Sequence, residues 1–575
     1  MRLQISRSKN AASLYIVKST YDRNGKRSNT VVEKLGTMEE LSKIHEDPIA
    51  WGEARAKELT LLEKAGQRRI TLAFDTQAHI EKDNRHCFQC GYLFLQRIYY
   101  ECQLDQICKL ISKRYQFEYD LNDVLSRLVY GRILFPGSKL STMEESRTLL
   151  EQPSFELHDI YRALDVLAKE SEWIQRELYK RNLNQLRSNS NILYYDCTNY
   201  YFEIDEASGL KQYGLSKQHK PFPIVEMGLF MDGDGLPLAF CIHPGNTSEQ
   251  KTMLPLEKQI ITDFGKSKIV VCTDAGLASD EMKRFNSTLT RRFIMVQSIK
   301  KLSKPLKKWV FDPTGWYVDY AGKKLKANLQ ELQDNEALSE KYKRCVFYKE
   351  QWTKDATGFE QRYVVTFSLA YKKYLRIVRE HQIEMAKKRM AENRQTKRPQ
   401  DPKRFIKDIA TTKDGELAEK RIAILDQDRI DDEEQYDGYY CVATNLEDDV
   451  HEIIRVNKRR WEIEESFRIM KTEFKARPVF LSRDDRITAH FLTCFLSLYI
   501  YRILEKKLNE EYTCEQIVDA LRSMYLLEMP PEGYVPAYTR SEITDALHAA
   551  FGFYTDFEIM SMSYIRKILK ISKNR

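Results

Sequence analysis

The sequence predicts an α/β protein, in which strands and helices pack in layers around a common core. Two strand-like runs carry aspartates, with Asp196 inside NILYYDCTNYYFEI and Asp274 near the end of the apolar run KIVVCTDAGLAS. Aspartate is depleted in strands, and in open α/β sheets sites form at the carboxyl ends of buried strands. An amphipathic stretch over residues 448–475 provides a helix that would bury one face against this core.

Length and composition place few limits on function. The 575 residues are enough for three or four domains, and the net charge of +8 comes from 92 basic and 84 acidic residues. Binding of nucleic acid would therefore need positive charge concentrated on particular surfaces. No run of about 18 apolar residues predicts a membrane span, and the amino terminus lacks the apolar region of a signal peptide. We expect a cytoplasmic protein, associated with the nucleoid when bound to DNA.

Eleven cysteines are spread singly along the chain, apart from Cys87-x-x-Cys90. A single CxxC pair without a second pair is weak evidence for zinc, even with His86 beside it. Reduced and mostly buried thiols are the expected state in a cytosolic protein.

Residues 1–75 are predicted to form a β-hairpin followed by a helix. The runs SLYIVKSTYD and RSNTVVEKLG flank Asn24-Gly25, a strong hairpin signal, and residues 53–65 have a helical pattern. This unit could contact DNA or could be a solvated hairpin; its cations are Lys18, Arg23, Lys26 and Arg27.

Residues 76–188 are predicted to form a helical domain, which is either a DNA-binding domain or a plain bundle. Runs such as LNDVLSRLVYGRIL have helical periodicity, and Phe135-Pro136-Gly137 breaks the pattern. Arginine and lysine interleaved with tyrosine fit a helix-turn-helix, although a plain helical bundle has the same pattern.

Residues 189–300 alternate strands and helices and form the first part of the predicted core, with a hairpin at 232–235. Residues 301–438 interrupt this pattern. They include a helix over 370–393 inside a basic stretch, 372–404, which is either solvated or a contact for DNA phosphates. Residues 439–510 return to the core with a strand, the amphipathic helix and an apolar helix. Residues 511–575 are predicted to be helical.

The stretch from Asp448 to Lys475 is predicted to be one uninterrupted helix with Asp448 or Asp449 at its N-cap. On a helical wheel Arg460, Glu464 and Lys471 fall at about −40°, 0° and −20°, on the border of the apolar stripe. Charges on such a border need a partner or a ligand, although an Arg460–Glu464 pair on a solvated edge is also possible. The stripe consists of Ile453, Val456, Ile463, Phe467, Met470 and Phe474.

These segments together resemble the DDE transposases of bacterial insertion sequences, in particular the group with a Tyr-x2-Arg-x3-Glu-x6-Lys helix. Arg460, Glu464 and Lys471 match that spacing, whereas Asn457 stands at the tyrosine position. The stretches HPGNTSEQKTMLP and 475–508 are also similar to that group. The resemblance implies an RNase H-like catalytic core that is interrupted by an insertion before the catalytic helix.

The resemblance implies three catalytic metal ligands: Asp196 bridging two Mg²⁺ ions, Asp274 on one ion and Glu464 on the other. Oxygen ligands suit Mg²⁺, with Mn²⁺ as a substitute, whereas cysteine and histidine would suit zinc. Arg460, Lys471 and Lys475 would then bind DNA phosphates.

Two further residues of the predicted helix each have two possible roles. Trp461 either stacks on an unpaired base or packs in the core, and the core is the commoner place for tryptophan. Glu465 is the alternative to Glu464 as a ligand, but it points about 100° further round the helix, away from the stripe.

The implied activity is cut-and-paste DNA transposition. A dimer would bind terminal inverted repeats, cut DNA with water and join 3′ ends to target DNA. Alternatives are an RNase H-like nuclease that does not join ends, and a transposase-derived DNA-binding protein without catalysis. A two-carboxylate glycosidase is disfavoured by the cations on the helix.

Overall fold

The computed structural model describes residues 1–7, 12–21, 27–67, 77, 79, 82–182, 191–265, 268–391, 405–411, 417–530 and 532–574. The chain divides into two compact units, Met1–Asn84 and Arg85–Arg575.

The first unit is a three-stranded antiparallel sheet followed by two helices: β1 (Arg2–Arg7), β2 (Ala12–Tyr21), β3 (Arg27–Thr37), α1 (Met38–Ser42) and α2 (Pro48–Gln67). Pairing of β2 with β3 confirms the two predicted strands, and β1 is an additional strand. The Asn24-Gly25 turn, with Arg23 and Lys26, lies outside the described residues. A capping box starts α1, since the Thr37 hydroxyl accepts the Glu40 N–H at 3.3 Å and the Glu40 carboxylate accepts the Thr37 N–H at 2.9 Å.

The second unit begins with a short strand and six helices, in agreement with the helical pattern of the sequence. The break predicted at Phe135-Pro136-Gly137 separates the third helix from the fourth. The elements are β4 (Cys87–Gln89), α3 (Tyr92–Glu101), α4 (Leu104–Ser112), α5 (Leu121–Leu134), α6 (Lys139–Ser146), α7 (Leu157–Lys169) and α8 (Ser171–Asn182).

A ten-stranded mixed sheet forms the centre of this unit. The strands after α8 are β5 (Ile192–Tyr201), β6 (Ile224–Asp232), β7 (Pro237–Pro244), β8 (Ile269–Thr273), β9 (Arg291–Val296), β10 (Trp316–Tyr320), β11 (Lys323–Ala327), β12 (Phe347–Lys354), β13 (Glu360–Phe367), β14 (Ile406–Thr411), β15 (Leu417–Leu425) and β16 (Tyr439–Thr444). The order across the sheet is β11-β10-β12-β13-β16-β9-β8-β5-β6-β7, while β14 and β15 pair separately with each other.

Strand direction divides the large sheet into two parts. Strands β5, β6 and β7 are antiparallel neighbours, and β8 and β9 lie on the other side of β5, parallel to it. The remaining strands, from β16 to β11, are all antiparallel to their neighbours. Four strands of segment 301–438 therefore extend the same sheet. The hairpin predicted at Asp232–Gly235 is confirmed, with Gly235 at a φ of +80°.

Helices in the connections of this sheet are α9 (Glu249–Asp263), α10 (Asp280–Phe285), α11 (Lys304–Phe311), α12 (Leu329–Asp334), α13 (Glu336–Lys341), α14 (Leu369–Ala391) and α15 (Gln427–Glu434). The long helix predicted from residue 370 is confirmed as α14. The rest of the basic stretch, residues 392–404, lies outside the described residues.

The prediction of one helix from Asp448 to Lys475 is wrong, because the structure has two, α16 (Val450–Lys458) and α17 (Trp461–Thr472). Asp449 is the N-cap of α16 and accepts the His451 N–H at 2.8 Å, as predicted. Between the helices the N–H groups of Arg460 and Ile463 bond to carbonyls three residues back, at 3.2 Å each. The turn is thus tightened to a 3₁₀-type geometry without any glycine or proline, which a periodicity analysis does not detect.

Helix α18 (Asp484–Lys507) is the central core helix of the second unit. It is long and apolar enough to cross a membrane, with a mean hydropathy of 1.4 in its most apolar window, but 89% of that window is buried inside the protein. It packs against α5, α7, α3 and β7. These contacts account for its apolar surface on every side.

The carboxyl-terminal segment consists of α19 (Cys514–Ser523), β17 (Tyr525–Met529), β18 (Gly533–Pro536), α20 (Glu542–Phe551) and α21 (Met562–Ser572). The prediction of a purely helical segment is wrong here, since β17 pairs with both β18 and β4. The partner strand β4 lies more than 400 residues earlier, so no local pattern indicates this pairing.

Candidate active site

Asp196 and Asp274 lie at equivalent positions of two adjacent parallel strands. The β5–β8 register pairs Ile192 with Val270 and Tyr194 with Cys272. Continued by two residues, it brings Asp196 opposite Asp274, and parallel neighbours in register point to the same side of a sheet about 4.8 Å apart. Strand β8 ends at Thr273 while β5 runs on to Tyr201. Asp196 thus lies within β5, and Asp274 directly follows the carboxyl end of the neighbouring strand β8.

Helices α16 and α17 cover the face of β5 that carries Asp196. The Tyr194 hydroxyl donates to the Val456 carbonyl at 2.8 Å, and the Tyr200 hydroxyl lies 3.8 Å from the Met470 sulfur. Alternate residues of a strand share a face, so Asp196 lies in this row under the helices. The row is completed by Thr198, whose hydroxyl accepts a hydrogen bond from Lys471 Nζ.

Glu464 stands at the rim of this site, paired with Arg460. The Arg460 Nη1 to Glu464 Oε1 distance is 3.1 Å, and the Glu464 side chain is 56% exposed. The Arg460 charge also interacts electrostatically with Asp196 and Asp274, so one guanidinium attracts all three carboxylates. Arg460 Nε is buried and has no hydrogen-bond partner among the residues that the structure describes. A buried donor without a partner is costly, and an anionic ligand would satisfy it.

Burial raises the pKa of Asp196 to about 6, while the nearby Lys217 lowers it and the Asp274 charge raises it. The Cys197 N–H donates to Asp196 Oδ1 at 2.8 Å. Asp274 Oδ1 accepts the N–H groups of Gly276 at 3.1 Å and Leu277 at 3.0 Å. Among the described residues, neither aspartate forms an ion pair within 4 Å. The pair is therefore a half-buried, incompletely neutralised anionic centre, as expected of a site for divalent cations.

The three carboxylates fit Mg²⁺ by their chemistry, because their donor atoms are all oxygen. They do not lie within 4.8 Å of one another; in the described part of the chain only Asp545, His548 and Asp556 do. A two-ion site does not require this, since a bridging Asp196 lets Asp274 and Glu464 bind different ions. In the cluster of Asp545, His548 and Asp556, Arg540 lies 2.6 Å from Asp545 and 3.4 Å from Asp556. The arginine therefore already provides the positive charge that balances these carboxylates.

Lys471 approaches Asp196 from α17. Its pKa is lowered to about 8, mainly by burial and then by the positive charges of Arg477 and Lys217, against the raising effect of Asp196. Lys471, Lys217 and Arg477 are thus close enough for their charges to interact, an arrangement that favours an anion such as a phosphate.

Lys475 is not part of this group. It follows the end of α17 in the left-handed region, with a φ of +44°. There it lines a separate surface pocket of about 320 Å³ with Pro136, Glu473 and Arg522. The helix ends three residues earlier than predicted, so Lys475 does not extend the row of Arg460 and Lys471.

Trp461 lies at the surface, 57% exposed, so the interpretation as a core residue is wrong. Its ring lines a groove of about 540 Å³ together with Tyr440, Asn457, Arg460 and Glu464. An exposed tryptophan beside an arginine could stack on a base, which stays a prediction.

Glu465 is tied into the structure by two arginines, Arg502 at 3.5 Å and Arg468 at 3.4 Å. Glu464, in contrast, faces the groove, and within the described part of the chain its one ion-pair partner is Arg460. This difference favours Glu464 over Glu465 as the third carboxylate.

Tyr440 was missed by the sequence analysis. It lies on β16, and its hydroxyl accepts a hydrogen bond from Asn457 Nδ2 at 3.1 Å. Asn457 itself is 9% exposed, and Arg460 lies beside the phenol. The pairing of β16 with β9, which brings Tyr440 near α16, cannot be read from local sequence.

The sheet carries one aspartate inside a strand and another directly after the neighbouring parallel strand, under a helix that bears both an acid and cations. This arrangement suits metal-dependent chemistry on phosphate esters. The chain matches the family model described as transposase DDE domain over residues 204–500. This match covers slightly more than half of the chain, which therefore belongs to that family and is a transposase. The matched range includes Asp274 and Glu464 and begins eight residues after Asp196.

Two further comparisons add no detail. Among solved structures, a cryo-EM structure of the piggyBac transposase synaptic complex with hairpin DNA is similar at a TM-score of 0.35 and 6% identity. The similarity covers 85% of this chain and 86% of that one. Likeness at this level supports no conclusion about fold or function. No curated protein sequence matches the chain.

Proposed function

We propose that the protein is the transposase of a bacterial insertion sequence, which cleaves DNA at terminal inverted repeats and joins the 3′ ends to target DNA. The observation that carries this proposal is the placement of Asp196 and Asp274 side by side on parallel strands, beneath the helix that bears Arg460 and Glu464. Its partners would be double-stranded DNA, both element ends and target, and a second copy of the chain in the DNA-bound complex. It would act at the nucleoid.

An RNase H-like core is supported by the strand order. Three antiparallel strands, β5 to β7, are followed by β8 and β9, which lie parallel on the other side of β5. On this proposal the strands of 301–438 belong to an insertion that extends the sheet before the catalytic helix.

Asp196, Asp274 and Glu464 would hold two Mg²⁺ ions, which activate an attacking oxygen and stabilise a leaving oxygen when bound. Asp196 contributes from the middle of the site, and Asp274 is oriented by the N–H groups of Gly276 and Leu277. Glu464 must turn from Arg460 in order to take part. Its exposed position leaves room for that rotation.

Arg460 and Lys471 would bind the phosphates next to the cut. Arg460 presents a planar fork with an unused Nε donor, and Lys471 presents a point charge. Trp461 would contact an unpaired base at the groove. Lys475, which lies in a different pocket, would contact DNA further from the cut.

The proposal is tested with purified protein, Mg²⁺ and duplex DNA taken from both borders of the reading frame. Asp196→Asn, Asp274→Asn and Glu464→Gln should each reduce strand cleavage by more than about 10³-fold, because each removes a metal-binding charge. DNA affinity should stay within about threefold of wild type, since phosphate contacts dominate it.

Glu465→Gln is the matched control on the same helix. It should cleave within about threefold of wild type, because Arg502 keeps its ion pair with Glu505 at 2.6 Å. Near-normal cleavage by the three active-site variants would refute the assignment. Cleavage by wild type that never yields joined product with a target plasmid would favour a nuclease, and binding without cleavage would favour a catalytically silent DNA-binding protein.

A further inference from the structure

The connection between β5 and β6, residues 202–223, is long for a hairpin, in which loops of two to five residues are usual. It is nevertheless held firmly against the end of β5. Asn199 Nδ2 donates to the Leu215 carbonyl at 3.0 Å, and the Lys217 N–H donates to Asn199 Oδ1 at 3.2 Å. Gln212 exchanges two backbone hydrogen bonds with Ile224, at 3.1 and 2.8 Å. The loop therefore has a defined shape next to the two aspartates.

Two lysines of this loop face the end of β5. Lys217 Nζ donates to the Cys197 carbonyl at 2.6 Å and pairs with Glu249 at 2.8 Å. Lys220 Nζ lies 5.7 Å from the ring of Tyr201, the last residue of β5. Both lysines are exposed.

The segment that follows α17 reaches the same place. The Val479 N–H donates to the Tyr201 carbonyl at 3.2 Å, which fixes its neighbours Arg477 and Phe480 beside the strand end. Arg477 is close enough to Lys471 for their charges to interact. Among the described residues no carboxylate pairs with Lys220 or Arg477 within 4 Å.

The same loop and the segment after α17 also carry exposed apolar and aromatic side chains. Leu215 is 88% exposed, Phe480 77% and Tyr213 52%. Gly214, next to Leu215, is packed so tightly that a Cβ there would lie 1.8 Å from the Gly245 carbonyl oxygen. The loop is thus held in a conformation that presents a large apolar side chain to solvent. Exposed apolar and aromatic groups interleaved with unpaired cations are the pattern of a nucleic-acid surface.

We propose that this surface binds the DNA strand leading to the carboxylates. It consists of Tyr213, Leu215, Lys217, Lys220, Arg477 and Phe480, and we name it the β5–β6 surface. The cations contact phosphates, and the apolar groups contact sugars and bases. This inference rests on the proposed function, and it assigns DNA contact to residues that do not line the Trp461 groove.

The test measures binding of a fluorescent 30-base-pair duplex of arbitrary sequence by anisotropy, in EDTA and over a range of salt. Each phosphate contact contributes about 0.9 to the slope of log affinity against log salt. Lys220→Gln with Arg477→Gln removes the two cations that have no carboxylate partner among the described residues, and should therefore flatten the slope by about 2 and weaken binding about tenfold. Lys220→Arg with Arg477→Lys keeps both charges and should bind like wild type.

The control is Lys323→Gln with Lys326→Gln on β11, seven strands from β5 and thus about 34 Å away. It removes the same charge and should leave the slope unchanged. A second variant, Lys220→Gln with Phe480→Ser, changes only exposed side chains, so folding is preserved, and should flatten the slope by about 1. Wild-type binding by both variants, or equal losses in the β11 control, would overturn the inference. Failure of the wild type to bind DNA would overturn the proposed function instead.

Discussion

Asn457 donates to the hydroxyl of Tyr440 at 3.1 Å, and the two residues come from α16 and from the strand before it. The resembling insertion-sequence group has a tyrosine at the Asn457 position. Here a tyrosine hydroxyl is brought to the same groove from β16, beside Arg460. The departure from the helix signature therefore does not remove a phenol from the site.

Tyr440→Phe should lower both the free energy of unfolding and the rate of DNA cleavage. It leaves the buried Asn457 amide without this acceptor, which costs about 1–3 kcal/mol. Denaturant unfolding monitored by fluorescence measures the loss, and the Asn457→Ala/Tyr440→Phe double variant should show coupling between the two sites. Additive effects in that cycle would show that the hydrogen bond is not formed in solution.

The aspartate pair and the cations of the helix could be predicted because each lies in a strong local pattern. Asp196 interrupts an aromatic strand, Asp274 follows an apolar run, and Arg460 and Glu464 are one helical turn apart. Tyr440, Lys217 and the β5–β6 surface could not be predicted in this way. They join the site through pairing of distant strands and through loop conformation, which leave no periodic signal.

The predicted ends of helices are wrong where the backbone geometry changes without a glycine or proline. The 3₁₀-type turn at Arg459 and Arg460 splits the helix, and the left-handed backbone at Lys475 follows its carboxyl end. Trp461 is the first residue of α17, so it points to solvent and not into the core. A straight wheel drawn through residues 448–475 could not show either effect.

Asp196→Asn should stabilise the metal-free protein at neutral pH. The folded-state pKa of about 6 exceeds the ordinary value of 3.8, since burial disfavours the charged form. The folded state then binds more protons between these pH values, so stability falls as pH rises from about 4 to about 6. Above pH 6 the charged Asp196 lowers the free energy of unfolding by at most about 3 kcal/mol. Urea unfolding in EDTA at pH 7.5 and pH 4 should show the gain only at the higher pH.

Addition of Mg²⁺ supplies the matched observation for this variant. Metal that binds only the folded state raises stability by mass action, so wild type should become more stable at pH 7.5 and Asp196→Asn should not. Equal stabilisation of both proteins would place the metal elsewhere.

Lys471 should make DNA binding weaken as pH rises through about 8. Its pKa is lowered to about 8, first by burial and then by Arg477 and Lys217. The neutral amine that forms above this pH no longer attracts phosphate. Lys471→Arg keeps its charge and should bind equally at pH 7 and pH 9, whereas Lys471→Gln should be weak at both. A wild-type affinity that does not change over this range would argue against a phosphate contact at Lys471.

Arg460→Gln separates the two interpretations of the Arg460–Glu464 pair. An i,i+4 pair with an exposed glutamate is worth only about 0.3–0.5 kcal/mol, so the loss of stability should be small on either interpretation. As a phosphate ligand with an unused buried Nε donor, however, Arg460 should matter for the reaction. We expect cleavage of border DNA to fall at least about 10²-fold, comparable to the loss of one transition-state donor. The matched control is Arg468→Gln, which breaks the 3.4 Å pair with Glu465 on the same helix and should cleave like wild type. If Arg460→Gln also cleaves like wild type, the pair is a solvated surface contact and Arg460 has no role in the reaction.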